Sequence, residues 1–190
     1  MAEPEKRPDA TPDGDAAVRP ARPSEGEAIR DLLAAAGAHA RSLGFDQWPT
    51  RFSARFVEAG IARGEVFVLE AGGAAGDGRA IGVCWLLFED KEFWGPDDGE
   101  ALYLHRLAVA AEVRGQGQSP RIIDWALAEV RRRGRRWLRL DCLQANLRLR
   151  AFYENQGFVH VGDREVGHGA SQSHLPGLTV SLFQRDVGAG

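Results

Sequence analysis

The stretch LYLHRLAVAAEVRGQGQSPR, Leu102 to Arg121, decides how this 190-residue chain is read. An apolar run stops abruptly at Arg114-Gly115-Gln116-Gly117 and gives way to a helical pattern. Glycines at such a junction let the backbone turn several N–H groups toward one point, and the helix that follows aims the positive end of its dipole there. The result is a seat for phosphate. Two familiar versions of that seat are excluded. No GxxxxGK followed by Ser or Thr occurs in the chain, and after Gly115 and Gly117 the third position of a GxGxxG fingerprint is Pro120. What remains is an (Arg/Gln)-x-x-Gly-x-(Gly/Ala) pattern, filled by Arg114, Gly117 and Ser119.

Working outward, Ala101 to Ala110 is the strand that feeds this loop, and Pro120 to Arg133 forms an amphipathic helix with Ile122, Ile123, Ala126, Leu127 and Val130 on one face. Upstream, Val66 to Ala71 and Ala80 to Phe88 read as an antiparallel hairpin across a glycine-rich turn from Gly72 to Gly78. Val18 to Arg22 is a short first strand. Ser24 with Glu27 has the spacing of a capping box, so a helix is predicted to run to about Ser42. A second helix follows the Trp48-Pro49 break, with Phe52, Phe56, Val57 and Ile61 at helical spacing. Downstream come a strand from Trp137 to Leu143, a short helix capped by Asn146 and ended by Gly157, and strands from Phe158 to Val166 and Leu178 to Arg185. This is a mixed α/β plan without an internal repeat.

Composition sets the frame. At 44% hydrophobic content, 190 residues suffice for one well-buried core. Residues 1–17, rich in Pro, Asp and Glu and without aromatic or β-branched apolar side chains, are expected to be a disordered tail, with the domain at 18–186 and a short tail at 187–190. Five acids and two bases give residues 1–17 a net charge of −3, which equals the formal charge of the chain, so the rest is close to neutral. That argues against a nucleic-acid partner engaged through bulk charge. No apolar stretch reaches the length of a membrane span and no secretion signal is visible, so a cytoplasmic location and no membrane partner are expected. Cys84 and Cys142 fall in apolar strands and are read as buried free thiols. The five histidines form no HxxxH pair and have no cysteine at ligand spacing, so no metal site is expected.

About thirty residues beyond the glycine loop lies Asn146-Leu-Arg-Leu-Arg-Ala-Phe152-Tyr153-Glu-Asn-Gln-Gly157-Phe158. With the loop, in this order, it resembles the two signatures of the GNAT superfamily, N-acetyltransferases that move an acetyl group from acetyl-CoA to an amine. The resemblance covers roughly Val18 to Asp186. It implies a mostly antiparallel sheet of six to seven strands flanked by helices and splayed between the fourth and fifth strands. It further implies acetyl-CoA as cosubstrate, a small-molecule or protein amine as acceptor, and allows a homodimer.

The resemblance also assigns roles. The backbone of Leu107, Ala108 and Val109 would receive the pantetheine arm as a pseudo-strand. The N–H groups of Arg114, Gly115, Gln116, Gly117, Gln118 and Ser119 would face the pyrophosphate, with Asn146 and Tyr153 completing the cofactor site. Ser119 departs from the usual Gly or Ala, and Pro120 removes an N–H near the mouth, so a catalytically silent acyl-CoA-binding module is the alternative reading. Tyr153 resembles the general acid that returns a proton to the departing thiolate; its competing reading is aromatic packing. For the base, His105 and Glu100 are the candidates on the fourth strand. Tyr103 shares a face with His105. The acidic segment Glu89 to Glu100, with Phe93 and Trp94, reads either as a solvated loop or as an attractor of cationic amines, with Trp94 offering cation–π contact. Trp48 is read as acceptor wall or as core. The cluster Arg131, Arg132, Arg133, Arg135 and Arg136 reads as a solvated helix end, one or two of which would meet the 3′-phosphate.

Overall fold

The computed structural model describes residues 16–72, 78–166 and 177–188. Seven strands, β1 (Ala17–Pro20), β2 (Val66–Glu70), β3 (Ala80–Leu87), β4 (Ala101–Val109), β5 (Trp137–Leu143), β6 (Val159–Glu165) and β7 (Thr179–Asp186), form one sheet in the order β1-β2-β3-β4-β5-β7-β6. Every neighbouring pair is antiparallel except β4 with β5. A parallel pair needs a crossover, supplied here by the helix after the glycine loop. The helices are α1 (Gly26–Ser42), α2 (Ala54–Ala62), α3 (Lys91–Trp94), α4 (Gln118–Arg132) and α5 (Leu147–Asn155).

Alternation along the strands divides the core between two faces. On β2, Phe67 and Leu69 join α4 residues Ile122, Ile123, Ala126, Leu127 and Val130. Val66 and Val68 point the other way, to Ile29 and Leu33 of α1 and Val57 of α2. Ile122 is fully buried, and its Cδ1 comes within 2.9 Å of the place where a Cβ at Gly82 would sit. Ile122→Ala is therefore expected to cost about 2–5 kcal/mol, read as a lower urea midpoint with unchanged slope.

The sheet opens where sequence resemblance placed the opening. Pairing of β4 with β5 runs from Ala101↔Trp137 to Leu104↔Leu140, although β4 continues to Val109 and β5 to Leu143. Each strand is held by its other neighbour. β5 stays paired with β7 from Trp137↔Asp186 to Leu143↔Val180. β4 stays with β3, but between Trp85↔His105 and Val83↔Ala108 it spends one more residue than its partner, a bulge. Arg106 in that bulge has φ 51°, a left-handed conformation that no other non-glycine residue adopts among those described. Its guanidinium lies 4.8 Å from the Phe56 ring centroid, 5.6 Å from Trp85 and 5.9 Å from Phe52.

Local details differ from the sequence expectations for identifiable reasons. Ser24 does not cap α1. It sits inside a single 3-10 turn (Pro23–Glu25), and Glu25 closes back on the chain by accepting the Arg22 N–H at 2.6 Å. Ser53, unremarked in the sequence, caps α2 by accepting from Phe56 N–H. α4 begins at Gln118, so Pro120 falls within its first turn, where its missing N–H breaks no intrahelical bond. Val187 belongs to the fold rather than to a tail: it is buried, its N–H donates to the Arg136 carbonyl, and its carbonyl accepts from Arg131 Nε. Ala17 is likewise paired in β1. Most of the expected tail (1–15), the centre of the glycine-rich turn (73–77) and the loop 167–176 lie outside the described residues. Among the described residues no helix is long and apolar enough to cross a membrane.

Candidate active site

A cavity of about 340 Å³ occupies the opening between β4 and β5. One wall is the freed end of β4, Leu107, Ala108 and Val109; its mouth is Arg114 and Ser119; the facing wall is Leu143, Asn146, Leu149 and Tyr153. Ala108 and Val109 pair with Val83 and Gly82 of β3, so strand alternation turns the opposite backbone edge into the opening, where no strand of the sheet meets it. An arm carrying amides can add there as an extra strand.

The loop at the mouth is built by its glycines. Gly115 has φ 79° and Gly117 φ 81°, values open to glycine at no steric cost, and Gly117 is the residue that enters α4. The N–H groups of Arg114 and Gln116 donate to the carbonyls of Ala111 and Val113. The first turn of α4, which Gly117 opens, carries N–H groups that no carbonyl within the helix can accept, the usual setting for an anion. Gln118 has its side chain packed inside the fold, with the residue 2% exposed. Asn146 caps α5, accepting from Leu149 N–H at 3.1 Å, which fixes the helix that carries Tyr153. α5 ends at Asn155, and Gly157 just beyond it has φ 78°, the left-handed exit that its sequence implied.

Tyr153 is buried, its ring against Phe152, Phe158 and Phe183 at centroid distances of 5.3, 5.8 and 6.1 Å. Burial pushes its phenol well above the usual range, and Cys142 and Asp141 add to the shift, so it stays protonated. Cys142 also lines the cavity; burial, reinforced by Asp141, pushes its thiol up to about 12.

At the apex, where the strands part, His105 follows the last paired residue of β4 and Asp141 the last of β5. Both line the cavity. His105 Nδ1 is 3.5 Å from Asp141 Oδ1, and Nε2 is 3.1 Å from Oδ2 of Asp90, whose side chain is wholly buried. Despite that closeness, Asp90 Oδ2, His105 Nε2 and Asp141 Oδ1 are not aligned for a hydrogen bond. Burial raises the Asp141 carboxyl, partly opposed by the charges of His105 and Arg106. Sequence reasoning expected no metal site, yet one ligand atom from each of Asp90, His105 and Asp141 lies within 4.8 Å of the others, a spacing that a cation, metallic or organic, can bridge.

Asp90 and Asp141 went unnoticed in the sequence. Asp141 carried a signal, an acid inside the apolar strand WLRLDCL, where burying a carboxylate is costly without a purpose. Asp90 looked like one acid among six; in the structure it begins α3, accepting from Phe93 N–H, and is turned inward.

Other expectations are corrected by position. Glu100 is exposed and precedes the zipped end of β4, five strand residues or about 16 Å from His105, so it does not join the site. Tyr103 is buried away from the cavity and accepts from Arg139 Nη1 at 3.2 Å. The cation over Trp94 is the protein's own Arg139, 4.9 Å from the ring centroid. Phe93 and Trp48, by contrast, line the cavity. Arg131, Arg132, Arg133, Arg135 and Arg136 gather at or beyond the far end of the 15-residue α4, about 22 Å from the glycine loop, and bond to Val187, Glu129, Ala101 and Asp186 instead.

Comparison with known proteins agrees with this architecture. A sequence profile of the Acetyltransferase (GNAT) family matches residues 29–158. YesJ of Bacillus subtilis (strain 168), described as an uncharacterized N-acetyltransferase, is 31% identical over 158 residues, spanning 78% of this chain and 84% of its own. A GNAT-family acetyltransferase from Listeria monocytogenes 4b F2365 superposes with a TM-score of 0.69 at 24% identity, over 90% of this chain and 94% of that one. The Salmonella typhimurium protein yncA, whose structure includes its cofactor acetyl-CoA, does so with a TM-score of 0.67 at 16% identity, over 93% and 96%. By the profile match and the 31% identity, this chain belongs to the GNAT family of acetyltransferases.

Proposed function

We propose that the protein transfers an acetyl group from acetyl-CoA to a primary amine by direct attack in a ternary complex. The observation that supports this most is the opening between β4 and β5, which has a glycine turn and helix N-terminus at its mouth and Tyr153, His105 and Asp141 within it. The backbone of Leu107 to Val109 holds the amides of the pantetheine arm, and the loop from Gly115 to Ser119 holds the pyrophosphate.

The amine must lose a proton as its nitrogen bonds to the acetyl carbon, and the sulfur must gain one as the carbon–sulfur bond breaks. His105 accepts the first proton, and Asp141 and Asp90, one beside each ring nitrogen, stabilise the imidazolium. Tyr153 donates the second. Its raised pKa does not forbid this, because the same dry surroundings raise the proton affinity of a thiolate formed beside it, and the difference between the two groups governs the transfer.

The test is release of CoA thiol from acetyl-CoA in the presence of amines, paired with calorimetry of acetyl-CoA binding. Turnover with binding supports the proposal; binding without turnover of any amine assigns the silent module instead. A thiol pushed up to about 12 makes Cys142 a poor nucleophile, so no acyl-enzyme is expected. Intact-mass spectra after incubation with acetyl-CoA should show no added 42 Da, about the mass of one acetyl group, on the chain.

A further inference from the structure

We propose that the acceptor is a small primary amine with one positive charge and an apolar or aromatic body, its ammonium held by Asp141 at the apex where β4 and β5 part. This rests on the acetyl-transfer reading and narrows it.

The charge argument starts from the apex. Asp141 Oδ1, His105 Nε2 and Asp90 Oδ2 are buried, close together and without hydrogen bonds. The His105 side chain is 7% exposed and lines the cavity. Asp141 and Asp90 lie on either side of His105, and Arg106, pinned over its aromatic rings, is the fixed cation whose field reaches both. Buried carboxylates without compensation are unfavourable and call for a cationic donor. An alkylammonium supplies one charge and N–H donors, and at Asp141 its nitrogen sits next to His105, which takes the proton.

The body of the acceptor is read from the walls beyond the apex. Ala36, Ala40, Leu43, Phe45, Trp48 and Phe93 give these walls an apolar majority, and the polar residues among them, His39 and Gln47, are not acids. Asp141 is the cavity's single lining carboxylate among the described residues. A second ammonium, as in a polyamine, would meet no second acid among these residues. The volume, about 340 Å³ for coenzyme arm and acceptor together, suits a small acceptor.

The experiment measures thiol release by the full chain with propylamine, butylamine, hexylamine, 2-phenylethylamine, 1,6-diaminohexane, spermidine and a short peptide with a free N-terminus. The proposal expects kcat/KM to rise roughly fourfold per methylene along the alkylamines. It expects 1,6-diaminohexane to fall about tenfold or more below hexylamine. Asp141→Asn should raise KM for hexylamine by about tenfold or more, with partial recovery in Asp141→Glu. Spermidine or the peptide as best substrate overturns the acceptor class and leaves acetyl transfer standing. Loss of all activity on treatment with EDTA would assign the apex to a metal ion and overturn the proposal too. No thiol release with any amine, with or without acetyl-CoA binding, removes the enzymatic reading itself and this inference with it.

Discussion

Tyr153→Phe lowers kcat by about 10²-fold or more while the affinity for acetyl-CoA changes by less than about twofold. Phenylalanine keeps the ring contacts with Phe152, Phe158 and Phe183, so the melting temperature should hardly move and the loss falls on the proton alone. Burial holds the phenol above its usual range, so the wild-type profile of kcat against pH should show no basic limb from Tyr153 up to pH 10. A variant that keeps full kcat would move proton delivery to water.

Asp141→Asn should lose activity and gain stability together. The folded state raises the Asp141 carboxyl above its unfolded value, so folded protein binds this proton more tightly than unfolded chain. Above both values the ionised carboxylate costs stability, and as pH falls through the folded value toward the ordinary carboxylate range the cost disappears. Asparagine removes that cost. At pH 8 the variant is expected to be more stable by about 1 kcal/mol or more. The corresponding rise in Tm is about 2–4 °C, shrinking as the pH is lowered. Asp163 has the opposite sign: Ser181, His160 and Gln144 hold its carboxyl down to about 2, so its contribution is present above the ordinary range and lost as pH falls toward 2.

The fold was legible because its strands and main helices carry strong apolar periodicity and its turns carry glycine at positions that need it. Gly115, Gly117 and Gly157 all take the left-handed backbone that their place in the sequence implied. The glycine turn and the capped helix α5 were legible too, since each depends on local residues. The cluster at the apex was not. Asp90, His105 and Asp141 come from three separate stretches and meet only through strand register, which no local pattern encodes. Glu100 was misplaced for the same reason: membership of β4 was readable, but which end of β4 stays zipped was not. Ser24 does not cap because it lies inside the 3-10 turn Pro23–Glu25, whose N-cap is Arg22.

The bulge at Arg106 bears on how fast and how tightly ligands associate. A left-handed residue other than glycine costs about 1–2 kcal/mol, which stacking on Phe52, Phe56 and Trp85 can offset. Those rings come from the segment leading into α2, from α2 and from β3, none of which belongs to the glycine turn or to α5. The crevice is therefore cut when the chain folds, and no ladder of hydrogen bonds has to be broken on encounter. Preorganised receptors of this kind gain affinity by having little left to order.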